Sequence, residues 1–161
     1  MPRQIVTVIP IDPMVVGDSW KKGDRLPLHC TVMPWVSFSS AEEGILMRGS
    51  VRRVAHRTKP FDLLSRGRAF FGPDKTVGVH TLVRSPEIEL FHTSLLVALA
   101  GQHLHPDELR YTGAGYKPHV SDYCGRFFPS GSCHRALRVA LVERGEDGVK
   151  RLVERYDLAG L

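Results

Sequence analysis

An α+β fold built on antiparallel sheets is what this sequence predicts, and three observations predict it. Strand-like segments outnumber the two helical ones. Turn signals join neighbouring strand-like segments directly, as in hairpins, at Gly72-Pro73-Asp74 and at Gly145-Glu146-Asp147-Gly148. Helices are too few to cover both faces of a doubly wound parallel sheet.

The elements follow in order. Residues 4–10 (QIVTVIP) read as a first strand, and residues 17–25 (GDSWKKGDR) as a polar, glycine-containing loop. Residues 29–36 (HCTVMPWV) are β-rich, with Pro34 marking a strand end, an edge or a bulge. Ser39 and Ser40 followed by Glu42 and Glu43 form a helix start, hydroxyls at the cap and acids in the first turn. That helix is expected to run to about Ala55, weakened by Gly44 and Gly49. Residues 61–72 and 76–83 read as paired strands. Residues 88–104 (IELFHTSLLVALAGQHL) have the apolar density of a buried helix. Residues 119–124 return to strand, and 135–144 and 149–158 flank the last turn.

The 161 residues, 42% hydrophobic and 24% charged, suit a single globular domain spanning 1–161. No apolar run approaches the roughly 18–20 residues of a membrane span. The opening residues are broken by Pro10 and Pro13 and lack a signal-peptide core, so a cytoplasmic protein is expected. Cys30, Cys124 and Cys133 are odd in number and show no CxxC spacing, which argues for a reducing compartment and against a cysteine-built zinc site. The net charge of +5 is uneven: residues 1–80 hold 12 Lys/Arg against 7 Asp/Glu, residues 81–161 hold 10 against 10. Such a surface favours partners bearing phosphate. A solvated helix face would equally well explain Arg48, Arg52, Arg53, Arg57 and Lys59.

Four of the eight histidines stand two residues before a hydroxyl: His29/Thr31, His56/Thr58, His92/Ser94 and His119/Ser121. The bare pattern cannot choose among them, but secondary structure can. On a strand, residues i and i+2 share a face; on a helix they diverge. His92 lies in the helical run and reads as structural. His56 sits at a helix C-terminus, where a cation is favoured. His29 and His119 remain, each opening a strand just after a proline. His103-x-His105 has no third ligand nearby in sequence, and no acidic cluster suggests a divalent cation. His80 alternates within its strand and reads as a rim or packing residue. Gly113-Ala114-Gly115 lacks the rest of a dinucleotide loop, and neither a Walker loop nor a GxSxG elbow is present.

Two His-x-Thr/Ser motifs opening strands about ninety residues apart, in a small basic α+β chain, resemble the 2H phosphoesterase superfamily, which includes RNA 2′,3′-cyclic phosphodiesterases of the 2′-5′ RNA ligase type. The stretch from residue 61 to the helix at 88–104 is similar as well, so the likeness spans roughly 26–124. Ser121 stands where threonine is commoner in that family, and Asp122 where an apolar residue is preferred. By alternation, Asp122 is expected to point away from His119.

The resemblance implies a bilobed fold: two antiparallel sheets related by pseudo-twofold symmetry around a central cleft, with helices on the outer faces. It implies metal-independent hydrolysis of 2′,3′-cyclic phosphate termini, with His29 and His119 as acid and base and Thr31 and Ser121 holding phosphate. No cofactor is expected. The expected partner is RNA or a cyclic nucleotide, without a membrane, and the protein is expected to be a monomer. The chemistry suits the residues. Two imidazoles can exchange the proton taken from water for the one given to the leaving oxygen, and strand-borne hydroxyls can meet the non-bridging oxygens. Lys117, Arg126 and an arginine of the Arg66/Arg68 strand are candidates to neutralise phosphate. Tyr116 is a candidate to stack on a base. Trp35 shares strand parity with His29 and Thr31. Two other functions stay open on the same scaffold: hydrolysis of 3′-5′ cyclic oligonucleotide signals, and RNA binding without catalysis.

Overall fold

The structure is a computed structural model and describes residues 2–159. Its strands are β1 (Arg3–Pro10), β2 (Ser19–Trp20), β3 (His29–Phe38), β4 (Phe61–Phe71), β5 (Val77–Leu82), β6 (His119–Ser121), β7 (Cys133–Ala136), β8 (Arg138–Arg144) and β9 (Lys150–Asp157). Two helices, α1 (Ala41–Arg57) and α2 (Pro86–Ala100), separate β3 from β4 and β5 from the distal chain. The α+β class is as expected. The two expected sheets, however, are one: all nine strands join in the order β2-β9-β8-β1-β3-β6-β5-β4-β7. They join because β6, only three residues long, pairs with β3 on one side and β5 on the other.

Local chemistry explains the element ends. Ser40 Oγ accepts from the Glu43 amide at 3.1 Å, while the Glu43 carboxylate accepts from the Ser39 amide at 2.8 Å. These reciprocal bonds satisfy amides that the first turn of α1 cannot. Helix α2 starts two residues before the apolar run suggests, because Ser85 caps it and Pro86 suits the first helical position. It ends at Ala100, so residues 101–104 lie outside it. Residues 17–25, read as loop, include the short edge strand β2, and residues 135–144 are divided between β7 and β8 at Leu137.

Pro34 falls at a bulge. Ile5 faces Val36 and Val8 faces Thr31, three steps along β1 against five along β3. The two extra residues kink β3 where proline could not donate to the ladder.

Alternation divides the core between the two faces of the sheet. On one face Ile5, Ile9, Cys30, Val32, Val120, Val139 and Leu141 pack with the helices through Met47, Val51, Phe91, Leu95 and Leu99. Each fully buried Leu or Phe there contributes about 1.5–3 kcal/mol. On the other face Val6, Val8, Ala140, Val142 and Leu152 pack with Met14 and Leu26 of the β1–β3 connection, against Trp20 and Trp35. This smaller cluster floors the site.

Candidate active site

The pairing of Cys30 with Val120 sets the site. In an antiparallel register this puts His29 opposite Ser121 and Thr31 opposite His119. Cys30 and Val120 are fully buried on the helix face. Their four neighbours are half-buried and share the opposite face. The result is a four-cornered constellation with the histidines on one diagonal and the hydroxyls on the other. Such diagonals span roughly 7–8 Å.

Both rings are held the same way. His29 Nδ1 lies 2.7 Å from the Pro27 carbonyl, and His119 Nδ1 lies 2.7 Å from the Lys117 carbonyl, each two residues back in the chain. A carbonyl can only accept, so Nδ1 carries the hydrogen and Nε2 is the free nitrogen of each ring. Burial lowers both pKa values from the usual imidazole range. The carbonyl contacts pull the other way, and repulsion from His119 lowers His29 further. The His119 ring is also braced edge-to-face by Phe71, centroids 4.8 Å apart at 71°.

Beneath this face the backbone is pinned by Tyr116. Its hydroxyl donates to the Thr31 carbonyl at 2.9 Å, and its ring stacks on His92 at 3.9 Å. His92 in turn lies 2.7 Å from the Val32 carbonyl through Nδ1 and accepts the Gly113 amide at Nε2. The ring of Tyr116 is therefore enclosed and has no free face for a base, which corrects the stacking role expected from sequence.

The expected phosphate-neutralising residues lie elsewhere too. Arg126 is engaged by both carboxylate oxygens of Asp12, at 2.6 and 2.7 Å. Arg66 is exposed at an irregularity in β4, between Ser65 and Gly67. The Lys117 side chain is exposed, and its contribution is its carbonyl. Neither these three nor Tyr116 borders the groove described next.

That groove, about 330 Å³, is bordered by His29, Thr31, Ser121 and Trp35, and by three cations that sequence reasoning missed: Arg25, Arg144 and Lys150. Asp24 and Asp122 border it as well. The Asp122 carboxylate accepts from Arg68 Nη2 at 2.8 Å and lies 3.7 Å from His80 Nδ1. Gly78 makes room for this pair: a Cβ there would meet Asp122 Oδ2 at 2.7 Å and Arg68 Nη2 at 2.9 Å. His80, buried and stacked on Phe127, belongs to this support. Among the described residues no group of three or more His, Cys, Asp or Glu side chains converges to hold a metal ion, and no helix is long and apolar enough to cross a membrane.

No protein-family model matches the chain, and no curated protein matches it in sequence. Solved structures do match it over nearly the whole length. They include Escherichia coli LigT complexed with NADP+ (14% identity, 98% of each chain, TM-score 0.63) and a phosphoesterase (13% identity, 99% of each chain, TM-score 0.65). A third is TT0787 of Thermus thermophilus (18% identity, 99% of each chain, TM-score 0.63). At these identities the likeness shows a shared fold.

Proposed function

We propose that this chain is a phosphodiesterase that opens 2′,3′-cyclic phosphate ends of RNA or nucleotides by acid–base catalysis between His29 and His119. The observation that carries the reading is the β3–β6 register, which makes one four-cornered site of two motifs ninety residues apart. A phosphorus centred on the four would have one imidazole on each side, as an in-line displacement requires. One Nε2 takes a proton from water as the oxygen bonds to phosphorus. The other Nε2–H gives its proton to the departing ribose oxygen. The ring opens to a phosphomonoester and a free hydroxyl, and the pair ends with its proton on the opposite ring. Thr31 and Ser121 hydroxyls donate to the non-bridging oxygens, where charge accumulates. With the hydroxyl of another nucleotide in place of water, the same steps open the cyclic end onto that hydroxyl and join the two as a phosphodiester.

Support comes also from the fold neighbours, since E. coli LigT has been crystallised with phosphate and with 3′-AMP. The test offers purified protein, in EDTA, 2′,3′-cyclic nucleotides, RNA with cyclic ends, and cyclic dinucleotides. Turnover of the first two is expected. His29→Ala and His119→Ala are each expected to lower kcat by on the order of 10²–10⁴-fold with the fold intact by circular dichroism. Full activity in either variant would remove that residue from the reaction. Turnover of cyclic dinucleotides alone would replace the substrate class, and binding without turnover would replace catalysis.

A further inference from the structure

Strand parity brings two like charges together in the groove. Arg144 ends β8, Lys150 begins β9, and the turn between them sets them directly opposite each other. Cross-strand partners point to the same face, and like charges so placed are destabilising. The sheet tolerates the pair although, among the described residues, no carboxylate forms an ion pair with either. Lys150 is only 8% exposed, a burial lysine rarely accepts unpaired, yet among the described residues it makes no ion pair. Asp24 attracts it only through space, while burial and Arg144 both press it to lose its proton.

Arg144 is held ready rather than consumed. Its guanidinium lies over the Trp35 ring at 4.2 Å and donates to Gln4 Oε1, a neutral acceptor, at 2.8 Å. Arg25 adds a third cation to the rim, its guanidinium reaching, among the described residues, only a main-chain oxygen, that of Asp122, at 3.5 Å. Of the two carboxylates bordering the groove, Asp122 is offset by Arg68, which leaves Asp24 alone against three cations.

The cluster is offset from the reacting centre. Val8 faces Thr31 and Gln4 faces Arg144, four residues apart along β1. Four residues of strand span about 13 Å. That offset leaves room along the groove for a phosphate beside the reacting one.

We propose that Lys150 and Arg144, with Arg25 at the rim, form a second anion site that takes a phosphate other than the reacting one. The preferred substrate is then a ribonucleotide carrying a further phosphate group, not a lone cyclic phosphate. The proposal deepens the reading of His29 and His119 as the reacting centre, and it explains why the groove extends past His29 and Thr31. Two sources share this chemistry: a 5′-phosphate on the same nucleotide, or the phosphodiester of the next one.

Binding of product-like probes tests it without turnover. The probes are uridine 3′-monophosphate, uridine 3′,5′-bisphosphate and the dinucleotide UpUp, titrated against tryptophan fluorescence. Wild type is expected to bind at least one two-phosphate probe ten-fold or more tighter than the monophosphate, with a steeper salt dependence. Which probe gains identifies the source. Lys150→Met is expected to abolish the gain and leave monophosphate binding within about two-fold. Lys150→Gln, which keeps a polar group at the position, serves if the methionine variant does not fold. Equal affinity for all three probes in wild type, or a gain that survives loss of the Lys150 charge, overturns the proposal. Failure of wild type to open cyclic ends would instead defeat the reaction proposed above and leave this comparison standing.

Discussion

Replacing Tyr116 by Phe removes one oxygen from the support of the site and nothing else. The ring can keep its place against His92, because the 3.9 Å stack, with planes 11° apart, does not involve the hydroxyl. What is lost is the 2.9 Å bond to the Thr31 carbonyl and a weak 4.0 Å contact with the Cys30 thiol. That carbonyl keeps the Cys30 thiol, a weak donor, at 3.7 Å. An acceptor left without its partner costs about 1–3 kcal/mol, and the thiol should hold the loss to the lower half, about 1–2 kcal/mol. For a chain of this length each kcal/mol moves Tm by about 2–4 °C, so a fall of about 2–8 °C is expected. Thermal and urea unfolding followed by circular dichroism give the two measurements, and the urea slope should not change. Thr31 also carries the hydroxyl assigned to phosphate, so kcat/KM should fall several-fold in the same variant. A Tm and a urea midpoint indistinguishable from wild type would mean that the bond contributes nothing and that Thr31 is positioned by other means.

kcat/KM against pH should be bell-shaped, both limbs belonging to the imidazole pair, with its maximum below the ordinary histidine value of about 6.5 because burial lowers both rings; an optimum well above neutrality would contradict this. A thiol reagent should label the exposed Cys124 and Cys133 quickly in native protein and reach Cys30 only on unfolding, since Cys30 is fully buried and its thiol is pushed up to about 12. Three fast-reacting thiols would sink that expectation. Burial likewise lowers His92, whose Nε2 must stay unprotonated to accept the Gly113 amide. Its folded pKa lies below the unfolded one, so its contribution to stability is complete above about pH 6.5 and is lost as pH falls towards the folded value. His92→Gln should flatten the drop in urea midpoint on acidification, and an unchanged drop would assign it to other groups.

The parts legible in the sequence are those decided by short-range rules. Ser40 and Glu43 announce α1 within four residues, and Gly145 to Gly148 announce the last hairpin. The paired His-x-Thr/Ser motifs were legible because strand alternation alone puts each hydroxyl beside its imidazole. The groove cations were not, because two pairings of β1, to β3 and to β8, bring Arg144 to the side of Trp35 from 109 positions away. A signal was nevertheless present: the Gly145-to-Gly148 turn, once accepted, already sets Arg144 and Lys150 face to face. Arg126 misled for the complementary reason. Its proximity to the second motif in sequence suggested a phosphate ligand, but Asp12, 114 positions away, holds it. Tyr116 looked available because it stands in a loop-like segment. Its burial depends on His92 and Thr31, which only the tertiary structure brings together.

The merger of two expected sheets into one bears on how such a site keeps its geometry. If each lobe carried one motif on a separate sheet, the spacing of the rings would depend on how two bodies pack. Here it depends on a backbone ladder, because β6 is hydrogen-bonded into β3 and β5 at once. The rings are then fixed by carbonyls of their own strand ends, Pro27 and Lys117, rather than by side chains from remote elements. Prolines next to both ends, Pro27 itself and Pro118, stiffen the segments that bear those carbonyls. The apolar pair Cys30 and Val120 lies directly beneath, so a shift of either strand would drive a polar side chain into the helix-facing core. Register, ring orientation and tautomer are thus set by the same few backbone groups. That is why a strand of three residues suffices to hold half of the constellation.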